Sequence, residues 1–331
     1  MSDLSTYHAG LKLRNPLIIG SSGLTDSVDK NKAWERAGCG AIVLRSLFEE
    51  QIENESNQLL EKDKPNYPGA YNLVRNYLKN NKIMDYLDLI RDTKNHCSIP
   101  VIASINCYTD GGWMEFASQI EGSGADALEL NISAIVADPA IHPMETPEKY
   151  IRIVKKIKQT VNIPVIVKSS RLFNNVPWLV NQLKINGADA VVLFNKLYQS
   201  DINIDLLRVV SGPVYSSPGD LSDTLRWLSL TSSHVPGIDL AASTGVQGWK
   251  DVIKCLLVGA SAVQVVSAAY QDREGKLIPE TIRQLEKWMD SKGFKNIEAF
   301  KGKLNADPDV NSTLFERAQF MKYLSNHKPR G

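Results

Sequence analysis

Polar and cationic side chains recur in this sequence directly after short apolar runs. They comprise two cations, several amides and many hydroxyl groups, without a pair of carboxylates and without a histidine. The set is Ser21, Ser22, Gly23, Arg45, Ser46, Asn106, Asn131, Ser133, Lys168, Ser169, Asn195, Ser243, Thr244, Gly245 and Ser267. These groups suit the binding of a polar, anionic, heteroaromatic ligand better than hydrolysis by paired carboxylates.

Lys168 ends the apolar run VIVK and is therefore expected to be nearly buried. A buried ammonium group favours pairing with an anion. Lys168 could hold the electron-rich edge of a flavin ring, form a Schiff base with a carbonyl substrate, or only satisfy carbonyl groups at the end of its strand.

Arg45 and three asparagines also end apolar runs. The guanidinium of Arg45 suits the fixing of a ring oxygen or a phosphate, but it cannot act as a proton-transferring base. A single asparagine in such a place is usually a turn former. Because Asn106, Asn131 and Asn195 hold equivalent positions, we expect their amides to bind the donor and acceptor edge of a ring.

Two strand-to-helix turns near the C-terminus are candidates for a phosphate site. The first follows Ser243 and leads through Gly245 into a helix, and the second contains Val266 and Ser267. Backbone N–H groups at the last two such turns of an α/β barrel commonly cradle a phosphate. Ordinary turns without a ligand are the alternative.

Eight near-continuous apolar runs rich in Val, Ile or Leu are predicted to be strands buried on both faces. Glycine steps precede several of them, as at 186–189 and 258–261. The predicted strands are Leu17–Ser21, Ala41–Arg45, Val101–Asn106, Ala127–Ile132, Val165–Lys168, Ala190–Asn195, Ile238–Ala242 and Ala262–Val266. Because helical stretches separate them, the sequence predicts an α/β fold, a TIM (β/α)8 barrel.

The sequence signals for helices are less regular than those for strands. Thr146 is predicted as the N-cap of a helix with Pro147 in its first position, and residues 277–292 and 307–324 are predicted helices. Residues 49–82 are polar and asparagine-rich, so we expect an excursion over the C-terminal face of the strands. No linker is visible, which predicts a single domain over residues 1–331.

Composition excludes several classes of function. The 331 residues carry 38 basic and 37 acidic side chains, and a net charge of +1 gives no field that would attract nucleic acid or an anionic membrane. The sequence has no signal-like segment and no membrane-length apolar run, so a cytoplasmic location is expected. The four cysteines, Cys39, Cys97, Cys107 and Cys255, have no metal-binding spacing, so no metal site is predicted.

Seven segments together resemble the dihydroorotate dehydrogenases of the cytosolic, class 1 type, over almost the whole chain. They are NPLIIGSSG (15–23), SIN (104–106), ELNIS (129–133), IVKSS (166–170), LFN (193–195), GVQGWKDVIKCLLVGASAVQVVSA (245–268) and GFKNIEAFKGKLN (293–305). The resemblance implies an FMN-containing barrel, commonly a homodimer, that oxidises dihydroorotate to orotate in pyrimidine biosynthesis.

The resemblance also implies roles for individual residues. Lys168 would stabilise the N1/O2 edge of the flavin, and the catalytic set would be Arg45, Asn131 and Ser133, with Asn131 and Asn195 binding the substrate. Arg45 stands where the family has a lysine. The flavin-binding residues would be Ser21, Ser22, Gly23, Ser46, Asn106, Lys168, Ser216, Ser217, Thr244, Gly245, Val266 and Ser267, the last six of them at the ribityl-phosphate positions.

The sequence departs from the family pattern where the base is expected. The family continues with Cys-Pro-Asn after this strand, whereas this chain has Ala134 at the base position. The family's Asn-x-x-Gly-Leu-Pro-Asn loop is not visible in residues 67–81. The other base candidates are Ser133, Asp138, His142 and Glu145, with Tyr108 and Thr109 as weaker ones.

Three alternatives to dihydroorotate oxidation remain open from the sequence. The first is an FMN-dependent reductase of another conjugated ring or enone, and the second is a flavin-binding paralogue without catalysis. The third is a flavin-free lyase that uses Lys168 as a Schiff base.

Overall fold

Eight parallel strands close on one another in the structure of this chain, a computed structural model that describes residues 2–48, 70–106, 113–133, 135–306 and 315–316. The described residues form thirteen strands in all, in chain order β1 (Thr6–His8), β2 (Leu11–Leu13), β3 (Leu17–Ile19), β4 (Ala41–Val43), β5 (Leu47–Phe48), β6 (Val101–Asn106), β7 (Ala127–Asn131), β8 (Val165–Ser169), β9 (Ala190–Leu193), β10 (Ser200–Asn203), β11 (Arg208–Ser211), β12 (Asp239–Ala242) and β13 (Ala262–Val265). Of these, β3, β4, β6, β7, β8, β9, β12 and β13 build the barrel. The predicted (β/α)8 barrel is confirmed.

The barrel closes through β3, which pairs in parallel with β4 on one side and with β13 on the other. The other barrel strands follow in the order β12, β9, β8, β7 and β6, and β6 returns to β4. All eight predicted runs form barrel strands, although several end earlier than expected. For example, the run 190–195 is a strand only as far as Leu193.

Helices surround the barrel and cover its outer face. They are α1 (Val28–Ala37), α2 (Ala70–His96), α3 (Trp113–Gly122), α4 (Glu145–Lys158), α5 (Val176–Ile185), α6 (Leu221–His234), α7 (Trp249–Leu257), α8 (Ser267–Gln271) and α9 (Leu277–Lys292), with 3-10 turns at Pro218–Asp220 and Ile297–Ala299. None of the helices in the described ranges is long and apolar enough to span a membrane.

Strand alternation divides the core into two layers. Outward-facing residues such as Leu128 and Leu130 pack under the helices, whereas inward-facing residues such as Ile166 and Val192 fill the barrel. The hairpin formed by β1 and β2 adds Leu13 to the inner cluster, so it plugs the N-terminal end of the barrel.

The glycine steps before the strands have a steric basis. Gly187 and Gly259 both have φ in the left-handed region, at 102° and 104°. A Cβ atom on Gly259 would lie 2.5 Å from the side chain of Ser232. These steps therefore end one helix and start the next strand where a larger residue would not fit.

One helix prediction is wrong, and two other predicted segments lie partly outside the described residues. Thr146 is not the N-cap of α4, because the helix begins at Glu145 and Met144 already has helical backbone angles of −78° and −14°. Of the expected excursion at 49–82, residues 70–82 belong to α2 and residues 49–69 lie outside the described ranges. The same holds for the predicted helix at 307–324, apart from residues 315–316.

A projecting hairpin was not expected from the sequence. The strands β10 and β11 pair antiparallel after β9, and Ile202 lies directly opposite Val209. Both side chains are largely exposed, at 68% and 70%. The barrel therefore carries an apolar surface element on the loop that follows β9.

Three of the cysteines are free and buried, namely Cys39, Cys97 and Cys255. Burial raises the pKa of the Cys97 thiol to about 11 and also raises the pKa of Cys255. These thiols are therefore poorly reactive at neutral pH. Cys107 lies outside the described residues.

His8 is the buried titratable group of the plugging hairpin. Its Nδ1 lies 2.9 Å from Ser261 Oγ, its Nε2 has no hydrogen-bond partner in the described ranges, and 1% of the residue is exposed. Burial without a counter-charge disfavours the imidazolium form and lowers the pKa of His8 to about 4.

The low pKa of His8 predicts an acid-sensitive fold. The unfolded chain takes up this proton near its ordinary value and the folded chain does not, so stability falls as pH drops from about 6.5 towards 4. Between pH 7.5 and 4.5 we expect His8 to cost about 2.5 kcal/mol of unfolding free energy. Urea denaturation at both pH values measures this loss, and His8→Asn should be less sensitive to pH than the parent by about that amount. Equal pH dependence in both proteins would contradict the prediction.

Candidate functional site

A cavity of about 240 Å³ lies at the C-terminal ends of the barrel strands. Strand ends and the loops that follow them supply its wall, as expected for a barrel of this type. The lining residues are Ser21, Lys168, Asn195, Lys196, Val214, Tyr215, Ser216, Ser243, Thr244, Gly245, Val246, Gln264, Val266, Ser267 and Tyr270. Eight of the residues predicted to bind a cofactor or substrate belong to this wall: Ser21, Lys168, Asn195, Ser216, Thr244, Gly245, Val266 and Ser267.

Lys168 lies on β8 at the floor of the cavity, and only 5% of the residue is exposed. Its Nζ atom donates a hydrogen bond to Oε1 of Gln264, at 2.9 Å. Its strand neighbour in register is Asn131 on β7. The ammonium group is therefore held inside the barrel and directed at its mouth by the strand alternation predicted from the sequence.

Three of the four residues predicted to bind or convert a substrate, namely Asn131, Ser133 and Asn195, are joined by hydrogen bonds. Nδ2 of Asn195 donates to Oδ1 of Asn131 at 3.1 Å and to Oγ of Ser133 at 3.2 Å. Asn195 itself follows a cis peptide bond between Leu193 and Phe194. Asn106 ends the neighbouring strand in register with Asn131, so the asparagines occupy one level of the barrel mouth.

A row of hydrogen-bonded serines leads away from the cavity wall at Ser21. Ser21 and Ser46 share a hydrogen bond between their hydroxyl oxygens at 2.9 Å, and Ser46 is linked in turn to Ser104 Oγ at 2.7 Å. The backbone N–H of Ser46 also donates to Ser21 Oγ, at 2.8 Å. The row fixes the hydroxyl of Ser21 at the cavity wall.

The turn after β12 presents backbone N–H groups to the cavity. Thr244 and Gly245 have φ values of 75° and 88°, and Thr244 Oγ1 donates to the carbonyl of Phe194 at 2.8 Å. The backbone N–H groups of Gly245 and Val246 have no acceptor within the described part of the chain. Consecutive free N–H groups of this kind bind anions.

The second turn faces the first across the cavity. Ser267 begins the short helix α8, and its hydroxyl accepts a hydrogen bond from the backbone N–H of Ser216 at 2.9 Å. Ser216, Gly245 and Ser267 therefore lie around one end of the cavity. A phosphate-bearing ligand fits this end, while Lys168 and the asparagines suit a planar polar ring at the other.

The remaining predicted residues do not line the cavity. Arg45 is exposed, whereas its neighbour Ser46 is buried and its backbone N–H donates to Ser21 Oγ. Ser217 is exposed, and its N–H and hydroxyl groups bind Asp220 at 2.7 and 3.1 Å. Ser22 and Gly23 lie in the turn after β3, where Gly23 packs against the hydroxyl of Tyr270. The roles assigned to these residues stay predictions.

The other candidate bases differ in their position relative to the cavity. Asp138, His142 and Glu145 are exposed and lie outside the cavity wall, and Asp138 and His142 bind backbone N–H groups of their own loop. Ser133 is the candidate base that contacts a cavity residue, Asn195. Ala134, Tyr108 and Thr109 lie outside the described residues.

Several cavity residues were not singled out from the sequence. Gln264 is a lone amide within the apolar strand AVQV, and this isolated polar residue is the feature by which the sequence could have indicated it.

Lys196 directly follows Asn195, and its Nζ atom lies 3.5 Å from Oδ2 of Asp220. Burial would raise the pKa of the Asp220 carboxyl, but hydrogen bonds from Ser217 and the charge of Lys196 outweigh it and lower the pKa. Tyr215 and Tyr270 pack against each other at the rim, with ring centroids 5.9 Å apart.

Comparisons with known proteins agree on one family. The family model for dihydroorotate dehydrogenase matches residues 3–289. A "dihydroorotate dehydrogenase B (NAD(+)), catalytic subunit" of Thermoplasma volcanium is 27% identical over 311 residues, 91% of this chain and 98% of the relative. Proteins of the same name are 29% identical over 306 residues in Methanosarcina acetivorans, covering 88% and 93%, and 28% identical over 310 residues in Thermococcus kodakarensis, covering 91% and 98%.

The turn at Gly245 gives a steric prediction. A Cβ atom there would lie 2.3 Å from the backbone nitrogen of Leu221, and φ is in the left-handed region. We expect Gly245→Ala to lower the free energy of unfolding by more than about 1 kcal/mol, because the start of α6 must shift. Denaturant unfolding measures the loss. In the matched control Gly122→Ala the new Cβ meets no atom within 4 Å, so stability should stay the same or rise. Equal stabilities of the two variants would contradict the steric argument.

Proposed function

The chain belongs to the dihydroorotate dehydrogenase family, whose members are oxidoreductases acting on CH–CH bonds, and from this premise we propose that it oxidises dihydroorotate to orotate with FMN as its redox group. The family is flavin-dependent and acts in pyrimidine biosynthesis. The observation that supports the proposal best is the cavity, which is lined by a buried lysine, by Asn195 with its hydrogen bond to Asn131, and by a turn with free N–H groups.

The donor groups of the cavity fit FMN. The free N–H groups of Gly245 and Val246, with Ser216 and Ser267 beside them, suit the phosphate. Lys168 suits the N1/O2 edge of the ring, because a cation favours electron density there. We propose that Ser21, Ser22, Gly23, Ser46 and Asn106 complete the flavin site, and that Ser217, Thr244 and Val266 contribute near the phosphate.

The substrate site proposed here uses the asparagine pair. Bound FMN supplies the hydride acceptor of the reaction. Asn131 and Asn195 hold each other through a 3.1 Å hydrogen bond, so their amides are preorganised to bind the ring amides of dihydroorotate. Arg45 is kept as a residue of this site, where its charge would reach a substrate carboxylate.

Proton removal from the substrate requires a base on this chain. Ser133 is the candidate next to the asparagine pair, because its hydroxyl oxygen accepts from Asn195 at 3.2 Å. That hydrogen bond directs the remaining lone pair and the proton of Ser133 away from Asn195. We propose that Ser133, which is only partly buried, takes up the proton that leaves the carbon next to the hydride-donating carbon while its own hydroxyl proton passes to solvent.

Ala134 at the family's base position favours a second candidate function. A serine supplies far less of its anionic, basic form at neutral pH than a cysteine, since its hydroxyl is harder to ionise. An FMN-dependent reductase of another conjugated ring or enone could take its proton from solvent and would not need that base. If the loss of the base abolished turnover altogether, the chain would be a flavin-binding paralogue without catalysis.

Anaerobic reduction of the flavin tests the substrate. After reconstitution with FMN, we expect dihydroorotate to bleach the flavin absorbance, and Ala134→Cys to speed bleaching about tenfold or more by restoring a base. Absence of bound FMN would reject the flavin proposals altogether. If another donor but not dihydroorotate bleaches the flavin, the chain is a reductase of another conjugated ring or enone. If no donor bleaches the flavin, the chain is a flavin-binding paralogue without catalysis. No gain from Ala134→Cys would place the base elsewhere.

We further propose that the chain forms a homodimer in the cytoplasm and works as a single domain over residues 1–331. The relatives compared above are named catalytic subunits, which supports assembly with another subunit as well. The hairpin of β10 and β11 is the surface that best supports self-association. Its side chains Ile202, Ile204, Leu207 and Val209 are each at least 68% exposed.

The dimer proposal predicts a change of molecular mass in a hairpin variant. We expect Ile202→Lys combined with Val209→Glu to shift the protein from dimer to monomer in light scattering, since charges would replace the apolar contact. The opposite charges lie in register and preserve the hairpin itself. The control Ile185→Asp changes a 68% exposed side chain at the end of α5 and should leave the dimer intact. A monomeric parent protein would reject the proposal.

A further inference from the structure

A carboxylate lies inside the barrel below the cavity. Glu129 on β7 is fully buried, and its neighbours in register are Ser104 on β6 and Ile166 on β8. Burying an ionised carboxylate is costly unless it is paired. Because Leu128 and Leu130 already supply the packing of this strand against the helices, the cost of Glu129 calls for a role within the barrel.

Glu129 is connected to the floor of the cavity by one amide. Its Oε2 accepts a hydrogen bond from Nε2 of Gln264 at 2.5 Å, and Oε1 of Gln264 accepts from Nζ of Lys168 at 2.9 Å. All three side chains are buried, with 5% exposure or less. The other oxygen of Glu129 has no hydrogen-bond partner in the part of the chain that the structure describes.

The orientation of the Gln264 amide follows from the chemistry of the two side chains that it joins, Lys168 and Glu129. An ammonium group only donates hydrogen bonds, and an ionised carboxylate only accepts them. Gln264 must therefore turn its oxygen towards Lys168 and its NH2 group towards Glu129. A single amide therefore separates the Lys168 ammonium from the accepting oxygen of Glu129.

The charge of Lys168 is consequently only partly compensated. None of the ion pairs found among the described residues includes Lys168, so its nearest anion along the network is Glu129, two hydrogen bonds away. A direct salt bridge would neutralise the cavity floor, whereas the interposed amide leaves the ammonium positive towards the cavity. Glu129 still makes the electrostatic potential at the cavity floor less positive, because charges in a buried site are weakly screened.

We propose that Glu129 is a positioning residue that acts through Gln264 on Lys168 and holds down the reduction potential of the bound flavin. The inference rests on the proposed flavin function. A flavin that gains an electron pair gains negative charge at its N1/O2 edge, and Lys168 stabilises that charge. The carboxylate behind Lys168 opposes this stabilisation, so the reduced form binds less tightly than it would above an isolated lysine.

The charge of Glu129 can be removed with little change of shape. Glu129→Gln keeps an acceptor oxygen for Gln264 and deletes the negative charge. We expect the affinity ratio of reduced to oxidised FMN to rise about tenfold, which raises the midpoint potential of the two-electron couple by about 30 mV. Spectroelectrochemical or dye-coupled titration of the reconstituted protein measures this shift without measuring turnover.

Three further variants make the test decisive. Glu129→Asp keeps the charge, so its potential should stay closer to that of the parent than to that of Glu129→Gln. Glu121→Gln makes the same chemical change at the end of α3, where the carboxylate binds the N–H groups of Asn162 and Ile163, and should leave the potential unchanged. If Glu129→Gln does not fold, Glu129→Met removes the same charge and should shift the potential in the same direction.

The outcomes separate this inference from the function on which it rests. A parent protein that binds no FMN rejects the proposed function. FMN binding with an unchanged or lowered potential in Glu129→Gln rejects the role of Glu129 and leaves the flavin function standing. A raised potential that Glu121→Gln reproduces would also reject it, because the effect would then be one of overall charge.

Discussion

Closure of the parallel sheet is the constraint on which the remaining structure depends. Because β3 pairs with both β4 and β13, the sheet has no free edge at this point, and all barrel strands end around one opening. Residues far apart in sequence, such as Asn131 and Asn195, are thereby brought to hydrogen-bonding distance. The cavity is a consequence of this geometry, and the loops only complete its wall.

The inside of the barrel changes character along its axis. At the N-terminal end the filling is apolar, with Leu13 from the plugging hairpin and Ile18 and Ile166 from the strands. Glu129 and Gln264, which lie in register with Ile166 and Ile18, introduce a polar network, and Lys168 extends it towards the mouth. The same alternation that buries apolar side chains inside the barrel thus also buries these polar ones, and each of them makes a hydrogen bond.

The cavity itself combines two kinds of recognition. At one end, backbone N–H groups around Gly245 offer an anion site whose shape depends on a left-handed turn and not on a particular side chain. At the other end, side-chain amides and a lysine offer specific polar contacts. Main-chain recognition of an anion depends on the backbone, so it tolerates changes of the side chains around it.

The sequence by itself determined the barrel and marked several residues that line the cavity, Lys168 and Gly245 among them. Apolar runs of strand length separated by helical stretches and glycine steps specify eight βα units, and residues such as Lys168 and Gly245 are marked because they end those runs. Strand periodicity is a local property, so it is readable without coordinates.

Only the tertiary structure decided which strand-end residues face the same space. Arg45 and Ser46 are adjacent in sequence, yet Arg45 is exposed, whereas Ser46 is buried and hydrogen-bonded to Ser21. Gln264 and Glu129 are 135 residues apart and meet only when the barrel closes. Pairings of this kind depend on strand register and on the exact end of each strand, and neither is encoded by local pattern alone.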